Sequence, residues 1–301
     1  MPGEDAQTAT SSRTSPTVLM CPPNYYGVAY EINPWMSRTR GADRRRAQRQ
    51  WETLYELVRD RGAQVKLIEP QPGLPDMVFT ANAGLVWQQT VFLSRFRHAV
   101  RAPEAAHFER WFRAEGFQVR RLPPGLYFEG AGDALYCGET LCAAYRFRSD
   151  VRSHHWIAEQ TGSPLAVTEL INPYFYHLDT CFCPLRPGAA LWYPYAFDEY
   201  GRRVLERAVN ELLPVPTDEA HRFACNSVVI GSSVIVPAGC PKTLSLLKRV
   251  GFDPFEVDLS EFQKAGGSAK CLTLRLDGED AAGWKSGKQP DSEPSSRSDA
   301  R

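Results

Sequence analysis

The sequence has no surplus of either charge. Its 301 residues carry 35 Lys plus Arg against 35 Asp plus Glu, so no overall field draws it to nucleic acid or to an anionic membrane. It has no uninterrupted apolar run near the roughly 18 residues that would span a bilayer. Its first residues, MPGEDAQTATSSRTSPT, lack the basic-then-apolar order of a secretory signal. It also lacks any CxxC pair or HxxxH spacing, the usual frame of a zinc site, and no metal or cofactor is expected. Eight cysteines diluted in a chain of this length read as reduced thiols rather than a disulfide framework. Together these absences predict a cytoplasmic protein with no nucleic acid and no membrane as partner, and they leave a homo-oligomer open.

What is present is enough apolar material for a substantial core, 43% of residues. Residues 1–16 and 279–301 are polar and without an apolar period, so both are expected to be disordered tails around one domain, residues 17–278. Inside it, helix signals recur. Asp43, Pro103 and Asp150 open three, another opens near residue 199, and Pro241 opens a fifth, with Gly62, Gly116, Gly162, Pro214 and Gly251 as stops. The fourth is read as carrying Leu212 and Leu213 on its apolar face, and adjacent His154 and His155 as a solvated piece of the third. The openings are 60, 47, 49 and 42 residues apart, and strand-like stretches such as TVFLSR, DALYCGETLCAAY, SVVIG and CLTLRL fill the gaps. Joints as short as CGET and GSSV favour antiparallel hairpins, and so a ring of repeated units over an open doubly wound sheet.

Polar residues interrupt these apolar stretches in four places. PDMVFTANAGLVW brings in Asp76 and Asn82, and YFEGAGDAL brings in Glu129 and Asp133 beside glycines that let backbone approach a ligand. YFYHLDTCF is expected to put His177 and Asp179 on one face of a strand. GGSAKCLTLRL sets Cys271 after a flexible glycine pair, with Lys270 next to it and able to help hold a thiolate. Each has a plain structural explanation: Cys271 as an inert core thiol, His177 and Asp179 as a satisfied pair, Asp133 as a hairpin brace. Taken together, one thiol, one imidazole and several semi-buried carboxylates suit covalent chemistry on a cationic substrate.

The order D-x-V-F-T-x-N, E-G-x-G-D, H-L-D-T and G-G-x-x-K-C resembles the guanidino-group-modifying superfamily of arginine deiminases, dimethylarginine dimethylaminohydrolases and amidinotransferases, over residues 18–277. The resemblance implies an α/β fold, a five-bladed propeller of ββαβ-type units with the site in its central channel. Within the superfamily, MCPPNYYGVAYEINPWM and the motifs after it look most like the bacterial arginine dihydrolases. That likeness implies a cofactor-independent hydrolase taking free arginine to ornithine, carbon dioxide and ammonia. Cys271 would be the nucleophile, His177 the proton carrier and Glu129 its orienting acid, with Asp179 and Asp76 about the guanidinium. A cation must meet the substrate carboxylate; Arg148 matches best, Arg95 is second, and Arg146 or Arg97 follow by register slip.

Where deiminases and the dimethylarginine enzymes have an acid, this chain has Asn82. In the dihydrolases that Asn, with the one at Asn33, accompanies a second cycle on neutral citrulline, and an amide can donate as well as accept. The extra residue in E-G-A-G-D leaves open whether Glu129 or Asp133 faces His177. The competing activities are dimethylarginine hydrolysis, then deiminase or amidinotransferase chemistry, and outside catalysis an arginine sensor, which would have no use for the thiol.

Overall fold

The computed structural model describes residues 15–286. Five three-stranded sheets are formed in it, one per repeat. The first joins β1 (Thr17–Met20) to β2 (Gln64–Leu67) through helix α1 (Arg44–Asp60). The second contains β3 (Gly84–Trp87), β4 (Thr90–Leu93), α2 (Glu104–Ala114) and β5 (Gln118–Arg121). The third has β6 (Ala134–Cys137), β7 (Thr140–Tyr145), α3 (Val151–Thr161) and β8 (Leu165–Glu169). The fourth has β9 (Phe182–Arg186), β10 (Ala189–Trp192), α4 (Glu199–Ala208) and β11 (Glu211–Pro214), followed by the short helix α5 (Thr217–Ala220). The fifth has β12 (Val228–Ile230), β13 (Ser233–Pro237), α6 (Pro241–Arg249) and β14 (Asp253–Val257), followed by α7 (Ser260–Gln263).

Within each unit the first two strands pair antiparallel, and the strand after the helix returns parallel to the middle one. A parallel return needs a crossover, and the helix supplies it. The first unit borrows its outer strand from the far end of the chain: β15 (Leu274–Arg275) pairs antiparallel with β1. This closes the series and removes the sheet edge that β1 would otherwise present.

The helices form for local reasons. The Asp43 carboxylate accepts from the Arg46 amide at 3.0 Å and caps α1. Ala47, Trp51, Leu54 and Val58 then repeat along one buried face. Burying each large member contributes about 1.5–3 kcal/mol, so Leu54→Ala in this stripe would cost about 2–5 kcal/mol.

Four sequence expectations are corrected. Leu212 and Leu213 lie in β11, because Val209 ends α4 in extended geometry and the chain turns to pair with β10. His154 is fully buried, with Nε2 2.7 Å from the Ala144 carbonyl, because it falls on the inner face of α3. Asp150 stands before α3 without capping it, since its carboxylate is taken by Arg97 and the Tyr127 amide. The tail expected from residue 279 instead packs as far as 284: Ala281 and Ala282 are buried and Trp284 meets the Tyr136 ring edge-on. The expected tails at 1–14 and 287–301 lie outside the described residues. Among the described residues no helix is long and apolar enough to cross a membrane, and all eight cysteines are free and buried.

Candidate active site

Every unit carries a turn just before its first strand, and the polar interruptions of the sequence sit in or beside these turns. Asn82 lies in the 3-10 turn Thr80–Ala83, Glu129 precedes Gly130–Gly132, and His177 precedes Leu178–Thr180, which contains Asp179. Asn226 and Cys271 hold the corresponding places before β12 and β15. Hydrogen bonds join the turns in a circle. The Ala81 amide donates to the Cys271 carbonyl at 3.1 Å, and Asn82 Nδ2 donates to the Glu129 carbonyl at 3.3 Å. His177 Nε2 is 2.9 Å from Glu129 Oε2, and Asn226 Nδ2 donates both to the Asp179 carbonyl at 2.9 Å and to Cys271 Sγ at 3.1 Å. The circle thus passes through all five units and returns to its start.

His177 and Asp179 therefore do not share a strand face, as expected from their spacing; a 3-10 turn separates them and sends them to different neighbours. Glu129 is the acid that meets His177. Asp133 instead accepts from the Ser149 hydroxyl at 2.6 Å and the Leu178 amide at 3.3 Å, a brace between two units. Such close convergence demands small residues. A Cβ on Gly132 would stand 2.3 Å from Asn82 Nδ2 and 3.3 Å from His177 Nδ1. Gly266, at φ +87°, would put one 2.8 Å from the Tyr176 hydroxyl oxygen.

Two differently charged groups face each other here. On one side Arg148, 2% exposed, donates to the same Glu129 oxygen at 2.9 Å and to the Ile32 carbonyl at 3.0 Å, and its guanidinium lies over the Tyr176 ring. Burial alone would raise Glu129, but Arg148 and the His177 hydrogen bond override it and hold the acid well below the usual carboxylate range. Burial lowers His177 to about 4 against the pull of Glu129, so the imidazole is neutral at pH 7.

On the other side Cys271 Sγ donates to Asp179 Oδ2 at 3.2 Å, while Asn226 Oδ1 receives the Cys271 and Ser268 amides at 3.1 and 3.0 Å. Burial pushes Asp179 up to about 7, and burial together with the Asp179 charge pushes the thiol well above its ordinary value. Asp76, also raised by burial, lies 3.8 Å from Arg101. Among the described residues two buried carboxylate oxygens, Asp76 Oδ1 and Asp179 Oδ1, have no partner within hydrogen-bond distance, and the equally unpaired Tyr30 hydroxyl stands near Asp76. A buried acceptor left unpaired is costly; of the two acids Asp76 lines the cavity itself, and Asp179 stands behind it, in contact with the Cys271 thiol.

Asp76, Asn82, Arg101, Arg148, Tyr176 and Cys271 line one cavity, completed by Ile32, Asn33 and Met36 of the segment before α1. It leaves only about 10 Å³ for the centre of a water-sized sphere, so its own side chains nearly fill it. Asn33 ties that segment down by donating to the Ala265 carbonyl at 3.0 Å.

Of the arginines expected near the site, only Arg148 reaches the cavity. Arg95 donates to the Pro123 and Leu122 carbonyls, because its backbone pairs with Phe128 and directs the side chain out of the circle. Arg146 meets Glu169 and Arg97 meets Asp150. Lys270 does not face the thiol either, its ammonium being held by Glu279.

Sequence reasoning missed two residues. Arg101, 3% exposed, grips Glu104 with two nitrogens at 2.9 Å and donates to Asn82 Oδ1 at 2.9 Å. It sits in no motif, and its role comes only from the packing of the α2 approach. Asn226 could have been found by aligning the units, since ACNSVV stands before β12 as TANAGLV stands across β3.

The family described as N,N dimethylarginine dimethylhydrolase, eukaryotic, matches residues 31–276. The bifunctional arginine dihydrolase/ornithine cyclodeaminase AgrE of Nostoc sp. is 47% identical over 263 residues, 86% of this chain and 37% of that protein. The chain thus spans little more than a third of that bifunctional relative. An N(G),N(G)-dimethylarginine dimethylaminohydrolase of Mycobacterium tuberculosis is 40% identical, over 85% of this chain and 84% of its own length. The N-terminal domain of ArgZ, a cyanobacterial arginine dihydrolase solved with its substrate bound, superposes with a TM-score of 0.85 at 44% identity, covering 88% of this chain and 99% of that one.

Proposed function

Because the chain belongs to the N,N-dimethylarginine dimethylhydrolase family, we propose that it is a cysteine-dependent hydrolase of the guanidino group of free arginine, yielding ornithine, carbon dioxide and ammonia. The observation that carries this reading is the pair of unpartnered carboxylate oxygens, on Asp76 and Asp179, in contact with a site that also holds a thiol and a buried arginine. A guanidinium is a planar, permanently charged fork of donors, and it satisfies such acceptors bidentately. The relatives support the choice of substrate: AgrE is a dihydrolase, and ArgZ was solved with its substrate and with a covalently bound reaction intermediate.

The chemistry follows from the two charge settings. A bound guanidinium places a positive charge beside Cys271 and Asp179, which favours both anionic forms and offsets the effect of burial. The thiolate attacks the guanidinium carbon. Neutral His177 takes up the thiol proton and delivers it to the departing nitrogen, which leaves as ammonia. His177 then removes a proton from water, the hydroxide attacks the S-amidino carbon, and the C–S bond breaks as the adduct's hydroxyl proton passes to sulfur, returning the thiol and releasing citrulline while His177 gives its proton to solvent. In a second cycle the thiolate attacks the ureido carbon, the terminal nitrogen leaves as ammonia, and water cleaves the S-carbamoyl adduct to a carbamate that breaks down to ornithine and carbon dioxide. Glu129 steadies the imidazolium formed at each transfer. Arg148 supplies positive charge for the α-carboxylate.

Asn82 governs the second cycle. Arg101 holds its Oδ1, which fixes the amide with Nδ2 toward the turns, one hydrogen on the Glu129 carbonyl and one left to donate. A ureido oxygen accepts from such a donor where a carboxylate would repel it. Incubation with arginine should give ornithine and about two ammonia per arginine, while Asn82→Asp should stop at citrulline with one. A wild-type protein that itself stops at citrulline is a deiminase. One that ignores arginine but frees dimethylamine from dimethylarginine follows the second reading, which the Mycobacterium relative favours. The free, buried thiols are those of a reducing compartment, and the reading places the enzyme in the cytoplasm.

A further inference from the structure

Residues 277–284 cross three units in a strap. Asp277 accepts the Thr17 amide, Asp280 accepts the Gly231 amide, and Gly138 exchanges backbone hydrogen bonds with Ala281 and Gly283. The strap carries Glu279 to Lys270, whose ammonium it holds at 2.5 Å, and the two side chains are only 17% and 7% exposed. They border a small cavity with Leu135, Phe182, Cys183 and Val229, which shares no residue with the site cavity.

Lys270 is bonded to Cys271 and anchored by the same asparagine, its amide donating to the Asn226 carbonyl at 3.1 Å. Its charge is close enough to favour ionised Asp179, the hydrogen-bond partner of the thiol. We propose that Glu279 is a positioning residue for the Cys271 nucleophile: by holding the Lys270 ammonium behind the thiol, it limits the positive charge that the thiol and Asp179 feel and so sets the pH at which the thiolate forms. This rests on Cys271 being the nucleophile. Around the ion pair the other charged or titratable groups are Asp179, Cys183 and Arg275, and Arg275 is itself tied to Asp277 and Asp280. Around the thiol they are Asp179 and Tyr176, with Asp76, Arg101 and Arg148 across the cavity and His177, the proton carrier of the proposed mechanism, against the Tyr176 ring. Glu279 does not line the site cavity, so it can be neutralised without altering a residue that does.

The test is the rate of iodoacetamide alkylation at the Cys271 peptide against pH, read by mass spectrometry without substrate, beside the pH profile of kcat/KM. Glu279→Gln leaves the ammonium uncompensated and should move the alkylation midpoint down by about one pH unit. Lys270→Met leaves a buried carboxylate and should move it up, and the double variant should return close to wild type. Thermal unfolding of all three identifies any that fails to fold, and the opposed shifts of the folded ones carry the result. If Glu279→Gln lowers kcat while every alkylation midpoint stays at the wild-type value, Glu279 is merely structural and the proposal is wrong. If wild-type Cys271 is alkylated no faster than the other buried thiols at any pH, the nucleophile assignment falls first and this inference with it.

Discussion

The two sides of the site differ in how complete they are. Around Glu129 every charge already has its partner: one carboxylate oxygen takes both Arg148 and His177, and the other takes the Arg97 amide. Around Cys271 the reverse holds: Asp179 shares one oxygen with the thiol, and its other oxygen, like Asp76 Oδ1, has no hydrogen-bond partner among the described residues. The first arrangement is finished before substrate arrives, as electrostatic preorganisation requires. In the proposed reading the second becomes satisfied when a cationic substrate binds, so that the thiol is activated by the molecule it attacks. The difference teaches that burial, here, has opposite uses. It keeps His177 neutral and ready to accept a proton, and it keeps the thiol protonated until it is needed.

The comparison breaks most sharply at the thiol. Cys271→Ser should stay folded, with unchanged circular dichroism, and lose turnover by about a thousandfold or more, because a hydroxyl beside Asp179 is a much weaker nucleophile. Turnover within tenfold of wild type would remove Cys271 from the mechanism. On the completed side, Arg148→Met strips the buried Glu129 of its counter-charge, and kcat/KM should fall about a hundredfold. Arg95→Met, in contrast, touches only the Leu122 and Pro123 carbonyls and should stay within about threefold. Equal losses in the two variants would mean that the carboxylate of arginine is met elsewhere.

The gentlest test uses pH. Asp179 is raised to about 7 when no cation is bound, so it holds a proton below neutrality that a bound guanidinium would displace. Arginine binding to the Cys271→Ser variant should therefore release a proton and tighten about tenfold from pH 6 to pH 7, then level off above. Asp179→Asn in the same background should flatten the curve. In the free protein the sign for folding is opposite to that of an ordinary carboxylate. Stability from a raised Asp179 is fully present below its unfolded value near 3.8 and is lost as pH rises through about 7. His177, lowered to about 4, does not titrate in that window. Calorimetry in buffers of different ionisation heat counts the protons, and a binding curve flat from pH 6 to pH 8 would refute the assignment of the acid limb to Asp179.

Much of this was legible in the sequence because it is local. The repeated helix signals with short hairpin joints announce repeated strand-rich units, and five three-stranded sheets are found. Cys271, His177, Glu129, Asp179, Asn82 and Asp76 announce themselves as polar residues inside apolar stretches, where only a partner or a ligand justifies them. The errors share a cause as well. Leu212 and Leu213 fit a helical period, yet pairing with β10 outweighs it. His154 and the chain from 279 to 284 look solvated by composition, but the surfaces they pack against come from elsewhere in the fold.

The sequence by itself determined the units, their turns and the chemical kinds of residue placed in those turns, since periodicity, capping and glycine conformation act over a few neighbours. Only the tertiary structure decided which acid meets His177, that Arg148 and Arg101 reach the cavity while Arg95 does not, and that Glu279 holds the lysine behind the thiol. Those contacts join residues from 9 to 116 positions apart, and their energies depend on burial and direction, which exist only once the five units have closed into a circle.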